Sequence, residues 1–230
     1  MFWLLPSAGK LKLHEIVTKV FDLLLEVNIK ELTEYNIENF LCNYGFISHD
    51  KILKILRSYS TCTFKELYDK TKIKFHVAAY CLEKQMDVYF SVDTYPNLEV
   101  AEAICMSISI PVIISSYKFN DHHYIDGGTF ESIPFSPFLS KNPDDVIIIK
   151  MSKSDSPSDF KIENLKDYLK IAIFTMISKT EITYTHIKNV HKVVIDDIDI
   201  FDFHGITYEN KIALFLKGYH RALTHSGLAK

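Results

Sequence analysis

Val100-Ala101-Glu102-Ala103-Ile104-Cys105-Met106-Ser107-Ile108-Ser109-Ile110-Pro111 and, 13 residues after that proline, Tyr124-Ile125-Asp126-Gly127-Gly128 decide how this chain reads. Leu98 to Met106 has helical apolar spacing, and the helix runs into a Ser-x-x-x-Pro turn. Asp126-Gly127-Gly128 closes an apolar run. Two glycines there let the backbone turn tightly and leave room for a neighbouring loop. Taken alone, the tripeptide is an ordinary turn after a hairpin strand.

Working outward, the flanking segments alternate between strand and helix patterns. Tyr117-Lys118-Phe119 and His123-Tyr124-Ile125 flank the turn-forming pair Asn120-Asp121 and predict a hairpin. Lys74 to Cys81 and Asp87 to Ser91 read as strands. Thr63-Phe64-Lys65-Glu66 has the form of a capping box opening a short helix. Asp145 to Lys150 carries four consecutive β-branched apolar residues and reads as a strand buried on both faces. Helical pieces are expected at Leu13–Leu25, Ile37–Leu41, Lys51–Leu56, Asn164–Ile177 and Tyr208–Ala222, the last interrupted at Gly218. Gly45 would end the second piece and Ser48 would cap the third. Val193-Val194-Ile195 reads as a strand, and the serine-rich stretch Ser152–Ser158 as a polar, mobile loop. Strands alternating with helices predict an α/β layer fold with a mainly parallel sheet.

Composition narrows the function classes. At 230 residues and 47% apolar content, the chain suits one domain with a real core. A formal net charge of -3, without basic runs, gives no general attraction to nucleic acid. No apolar stretch approaches the ~20 residues that span a bilayer, and Met1 to Pro6 lacks the parts of a secretory signal. A cytosolic location is the expectation, with peripheral contact to membranes left open. Cys42, Cys62, Cys81 and Cys105 form no C-x-x-C pair and read as buried or free thiols. Seven widely spaced glycines leave no phosphate cradle.

From Thr63 to Pro137 the ordered set of these features resembles the patatin-like phospholipase family, with Pro134 following the Asp-Gly-Gly. The likeness extends less distinctly to Leu13–Gly45 and Ala213–Tyr219. It implies a three-layer α/β fold and a lipid acyl ester hydrolase acting on a lipid or phospholipid at a membrane surface. Its chemistry would use a Ser-Asp dyad: a serine attacks the ester carbonyl and an aspartate takes its proton directly. Asp126 matches the aspartate, with Gly127 and Gly128 supporting it. The resemblance implies neither a cofactor nor a metal, and it leaves the oligomeric state open.

The nucleophile half does not appear. Gly-x-Ser-x-Gly, the strained turn that presents the serine, occurs nowhere in residues 1–230, nor does a glycine-rich oxyanion loop. Ser7 has a glycine two residues on but leucine two before, and Pro6 restricts the turn. Phe2–Gly9 resembles the helix that follows the elbow, which puts Ser7 too late to attack. The expectation is a single domain, 1–230, lacking its first strand and nucleophile elbow, and poorly soluble or partly molten as a result. Two functions stay open: the hydrolase, or a catalytically inactive lipid- or protein-binding module on the same fold. An unrelated α/β protein is a third reading. His122-His123 point to opposite faces of a strand and are read as exposed histidines, not a metal site. Asp196, Asp197 and Asp199 lack the spacing of a calcium loop.

Overall fold

The computed structural model describes residues 13–32, 34–131, 133–152, 161–178, 187, 189–194 and 206–225. Ser7, the Phe2–Gly9 helix, most of the Ser152–Ser158 loop and the Asp196–Asp199 cluster lie outside the described residues.

Eight α-helices and eight strands are interspersed along the described residues. The helices are α1 (Leu13–Glu26), α2 (Ile29–Leu32), α3 (Ile37–Asn43), α4 (Asp50–Tyr59), α5 (Phe64–Thr71), α6 (Val100–Ser107), α7 (Leu165–Ser178) and α8 (Tyr208–His225). The strands are β1 (Gly45–Ile47), β2 (Val77–Cys81), β3 (Met86–Phe90), β4 (Val112–Ile114), β5 (Tyr117–Phe119), β6 (His122–Asp126), β7 (Ile147–Ser152) and β8 (Asn189–Val194). The class is α/β, as the alternation predicts. Parallel pairing joins β1 to β4 and β7 to β8. A four-stranded sheet in the order β3-β2-β6-β5 is antiparallel throughout. Its antiparallel order follows from short connections: four residues join β2 to β3 and two join β5 to β6, too few for a parallel crossover.

Local signals explain most of these elements. The expected capping box is formed: Thr63 Oγ1 accepts the Glu66 N–H at 3.2 Å, and Glu66 Oε2 accepts the Thr63 N–H at 2.9 Å. The β5–β6 hairpin turns through Asn120 (φ 48°) and Asp121 (φ 61°), residue types that tolerate the left-handed region a two-residue hairpin demands. Ser48 does not take the expected cap position: His49 is the N-cap of α4 and makes no side-chain cap bond, while Ser48 Oγ, one residue earlier, accepts the Asp50 N–H at 3.2 Å. The end of α3 differs from expectation. Tyr44, not Gly45, takes the left-handed capping conformation (φ 64°) and donates its N–H to the Phe40 carbonyl. Gly45 serves the sheet instead: a Cβ there would stand 2.2 Å from the Ser115 backbone nitrogen. α8 runs unbroken through Gly218, where a side chain would meet open space.

Alternation on β2 buries Val77, Ala79 and Cys81, which meet Phe64 and Leu67 of α5, Phe90 of β3, Val100, Ala103 and Met106 of α6, and Tyr124 of β6. At ~25 cal/mol per Å2 of apolar area, each large side chain buried here contributes about 1.5–3 kcal/mol. α4 is tied to the start of α6 by Arg57, which reaches Glu99 at 2.7 Å and Glu102 at 3.5 Å. β7 departs from its expected burial on both faces. Ile148 is 4% exposed in a small cluster with Phe135 and Ile187, whereas Ile147 and Ile149 are 67% and 73% exposed. The strand is buried on one face, so its unbroken apolar run reports β-branched backbone preference as well as burial. At the other end, α1 packs on α8 through Phe21 and Phe215, whose ring centroids lie 4.4 Å apart.

Candidate active site around Asp126

Asp126 is the last residue of β6 and opens a single 3-10 turn, Gly127–Thr129. Two neighbours fix its backbone: its N–H donates to the Ser109 carbonyl at 2.9 Å, and its own carbonyl accepts the Thr129 hydroxyl at 2.6 Å. Its carboxylate accepts the Gly128 N–H at Oδ1, 2.6 Å away, and Oδ2 has no hydrogen-bond partner among the described residues. The carboxyl pKa lies above its ordinary value because burial penalises the charged form, although the Gly128 N–H partly offsets this. A carboxylate raised in this way and open at one oxygen is suited to take a proton.

The glycines act through space, not through unusual torsions, since neither has a positive φ. A Cβ on Gly127 would come within 2.8 Å of the Ala78 backbone of β2, and one on Gly128 within 3.0 Å of Asp126 Oδ1. Close approach to β2 is what requires glycine at 127.

The turn after α6 meets Asp126 from the other side. α6 ends at Ser107, and the chain then bends through Ile110 and Pro111 into β4, with the Ile114 N–H donating to the Ile110 carbonyl at 2.9 Å. Val112 follows at φ 71°. For a β-branched residue this is a strained conformation, worth on the order of 1–3 kcal/mol. Ser107 is half-buried, and Pro134 is exposed beyond the 3-10 turn.

Sequence reasoning passed over two buried polar residues near Asp126, His49 and Glu131. Ser109 is fully buried; its hydroxyl donates to the Cys105 carbonyl at 2.8 Å and lies 2.9 Å from His49 Nε2. His49, 8% exposed, has its pKa pushed down to about 4 by burial. Glu131 is also buried. It accepts the Tyr89 hydroxyl and the Phe135 N–H, and its own N–H donates to the Gly127 carbonyl at 2.9 Å. Both pairs join residues more than 40 positions apart, which no local pattern encodes. The only available signal was a lone polar residue beside an apolar run. The two adjacent histidines have separate partners: His122 Nδ1 lies 2.6 Å from the Asn120 carbonyl, and His123 Nδ1 lies 2.6 Å from Glu83 Oε1.

Residues 29–139, the part of the chain that holds Asp126, match the family model of patatin-like phospholipases. A curated relative, the probable lipid hydrolase 463L of Invertebrate iridescent virus 6, is 30% identical over 121 residues. That alignment covers 50% of this chain and 41% of the viral protein, so the likeness spans less than half of the relative's length. No helix among the described residues is long and apolar enough to cross a membrane.

Proposed function

Residues 29–139 belong to the patatin-like phospholipase family, and from that premise we propose that the chain is part of a lipid acyl ester hydrolase in which Asp126 is the base of a Ser-Asp dyad. The observation that carries the reading is the state of Asp126: at a strand end, with its pKa raised by burial, and with no partner for Oδ2 among the described residues. As a serine oxygen attacks the ester carbonyl, its proton passes to Oδ2. The protonated carboxyl then returns the proton to the leaving alcohol, and water repeats the cycle on the acyl-serine. The Gly128 N–H holds Oδ1 and so fixes which oxygen faces the nucleophile. The substrate class is a lipid ester, met at a membrane surface.

None of the serines in 1–230 stands in Gly-x-Ser-x-Gly, so the test must also find the partner. The protein purified from its native source, with whatever residues accompany 1–230 there, is treated with a fluorophosphonate probe, and the labelled peptide is mapped by mass spectrometry alongside turnover of a p-nitrophenyl ester. The expected result is one labelled serine, with turnover falling about 10²–10⁴-fold in Asp126→Asn. Equal turnover in Asp126→Asn would remove Asp126 from the chemistry. Absence of label and turnover, together with retained binding to phospholipid vesicles, would favour the non-catalytic lipid-binding module.

A further inference from the structure

We propose that His49 is a positioning residue for Asp126, acting through Ser109. The inference rests on the dyad reading for its purpose but not for its geometry. Donor accounting sets the direction of each bond. The Cys105 carbonyl can only accept, so the single Ser109 hydroxyl proton goes to it, at 2.8 Å. With that proton on Cys105, Ser109 Oγ accepts at its contact with His49, 2.9 Å away, and His49 Nε2 carries a hydrogen; the Cys105 backbone also hydrogen-bonds to the His49 ring, which agrees with a donor at this edge. The neutral Nε2–H tautomer meets this need, and burial keeps the ring neutral across the physiological range. The ring is held edge-on by Tyr117, centroids 5.1 Å apart, and among the described residues Asp50 is the charge that acts on it.

Ser109 is thus held on two sides by its side chain, while its carbonyl receives the Asp126 N–H at 2.9 Å. The path His49–Ser109–Asp126 joins the start of α4 to the end of β6 across the turn that follows α6. It fixes the backbone from which the carboxylate projects. His49 touches neither the carboxylate nor any reacting atom, so its effect on chemistry is indirect.

Amide hydrogen exchange at Asp126, read by NMR on the 15N-labelled protein, tests this without relying on turnover. His49→Leu removes the donor at similar volume, and Ser109→Ala removes the acceptor. Both should speed exchange at Asp126 by about tenfold or more relative to the β3 amides, because a buried hydrogen-bonded group has lost its anchor. His49→Gln, whose amide nitrogen can donate from a similar place, should restore protection to within about threefold. If the protein turns over esters, kcat should fall in His49→Leu with KM unchanged. A protein that does not turn over esters but shows the exchange pattern would sink the dyad reading and leave this one standing. Unchanged Asp126 exchange in folded His49→Leu, or a His49→Gln variant as exposed as His49→Leu, overturns the proposal. Should the variants not fold, the ring nitrogens of the unsubstituted protein decide: an Nε2–H tautomer that does not titrate above about pH 5 supports it, and Nδ1–H or a midpoint near 6.5 refutes it.

Discussion

β2 and β7 are both short, apolar strands, yet they sit in different surroundings. β2 is paired on both edges and buries every second residue against α5, α6 and β6. β7 has one partner among the described residues and leaves Ile147 and Ile149 facing outward, with Ile148 alone in a small cluster. Three consecutive isoleucines do not bury β7, whereas the smaller side chains of β2 are buried at every second position. Burial was set by which elements returned to cover each face. Asp126, paired with Ala79 at the end of β6, belongs to the better-buried of the two regions.

This contrast can be broken most forcefully in the first core. Phe90 is fully buried beside Tyr95 and Tyr124, and Phe90→Ala should cost about 3–5 kcal/mol in a urea titration. A loss under about 1 kcal/mol would mean that this core is no tighter than the β7 cluster. Acid sharpens the comparison, because His49 lies in the first region. Its folded pKa is lowered to about 4 from 6.5, so its contribution is full above pH 6.5 and fades as pH falls towards 4. That contribution is roughly 3 kcal/mol at most. Midpoints measured from pH 7 to 4.5 should fall more steeply for the unsubstituted protein than for His49→Gln, and parallel slopes would contradict the assignment. The smallest effect is expected on β7. Ile149→Thr keeps β-branching at an exposed site and should stay within about 0.5 kcal/mol. A larger loss would show that something covers this face in solution.

What could be read from the sequence depended on whether the physics was local. The Thr63 capping box, the Asn120-Asp121 hairpin and the helix ending before Pro111 each depend on residues a few positions apart, and each formed as expected. The α/β class followed from their alternation. Asp126 stood out in the sequence as a candidate through its Asp-Gly-Gly context, but its setting is made by Ser109 and Ala78, which approach from other elements. His49 and Glu131 were not legible, because a hydrogen bond across 60 or 42 positions leaves no periodicity. Gly45 was noticed for the wrong reason: its need is the approach of Ser115, while Tyr44 closes the helix.

Lys211 of α8 donates to the Leu25 and Val27 carbonyls at the end of α1, bridging 186 and 184 positions. That clasp has a consequence for biosynthesis. At about 5–20 residues per second, Lys211 follows Leu25 from the ribosome by roughly 10–40 s. For that interval the Phe21 ring has no Phe215 to pack on, so this contact of α1 forms only after α8 has emerged.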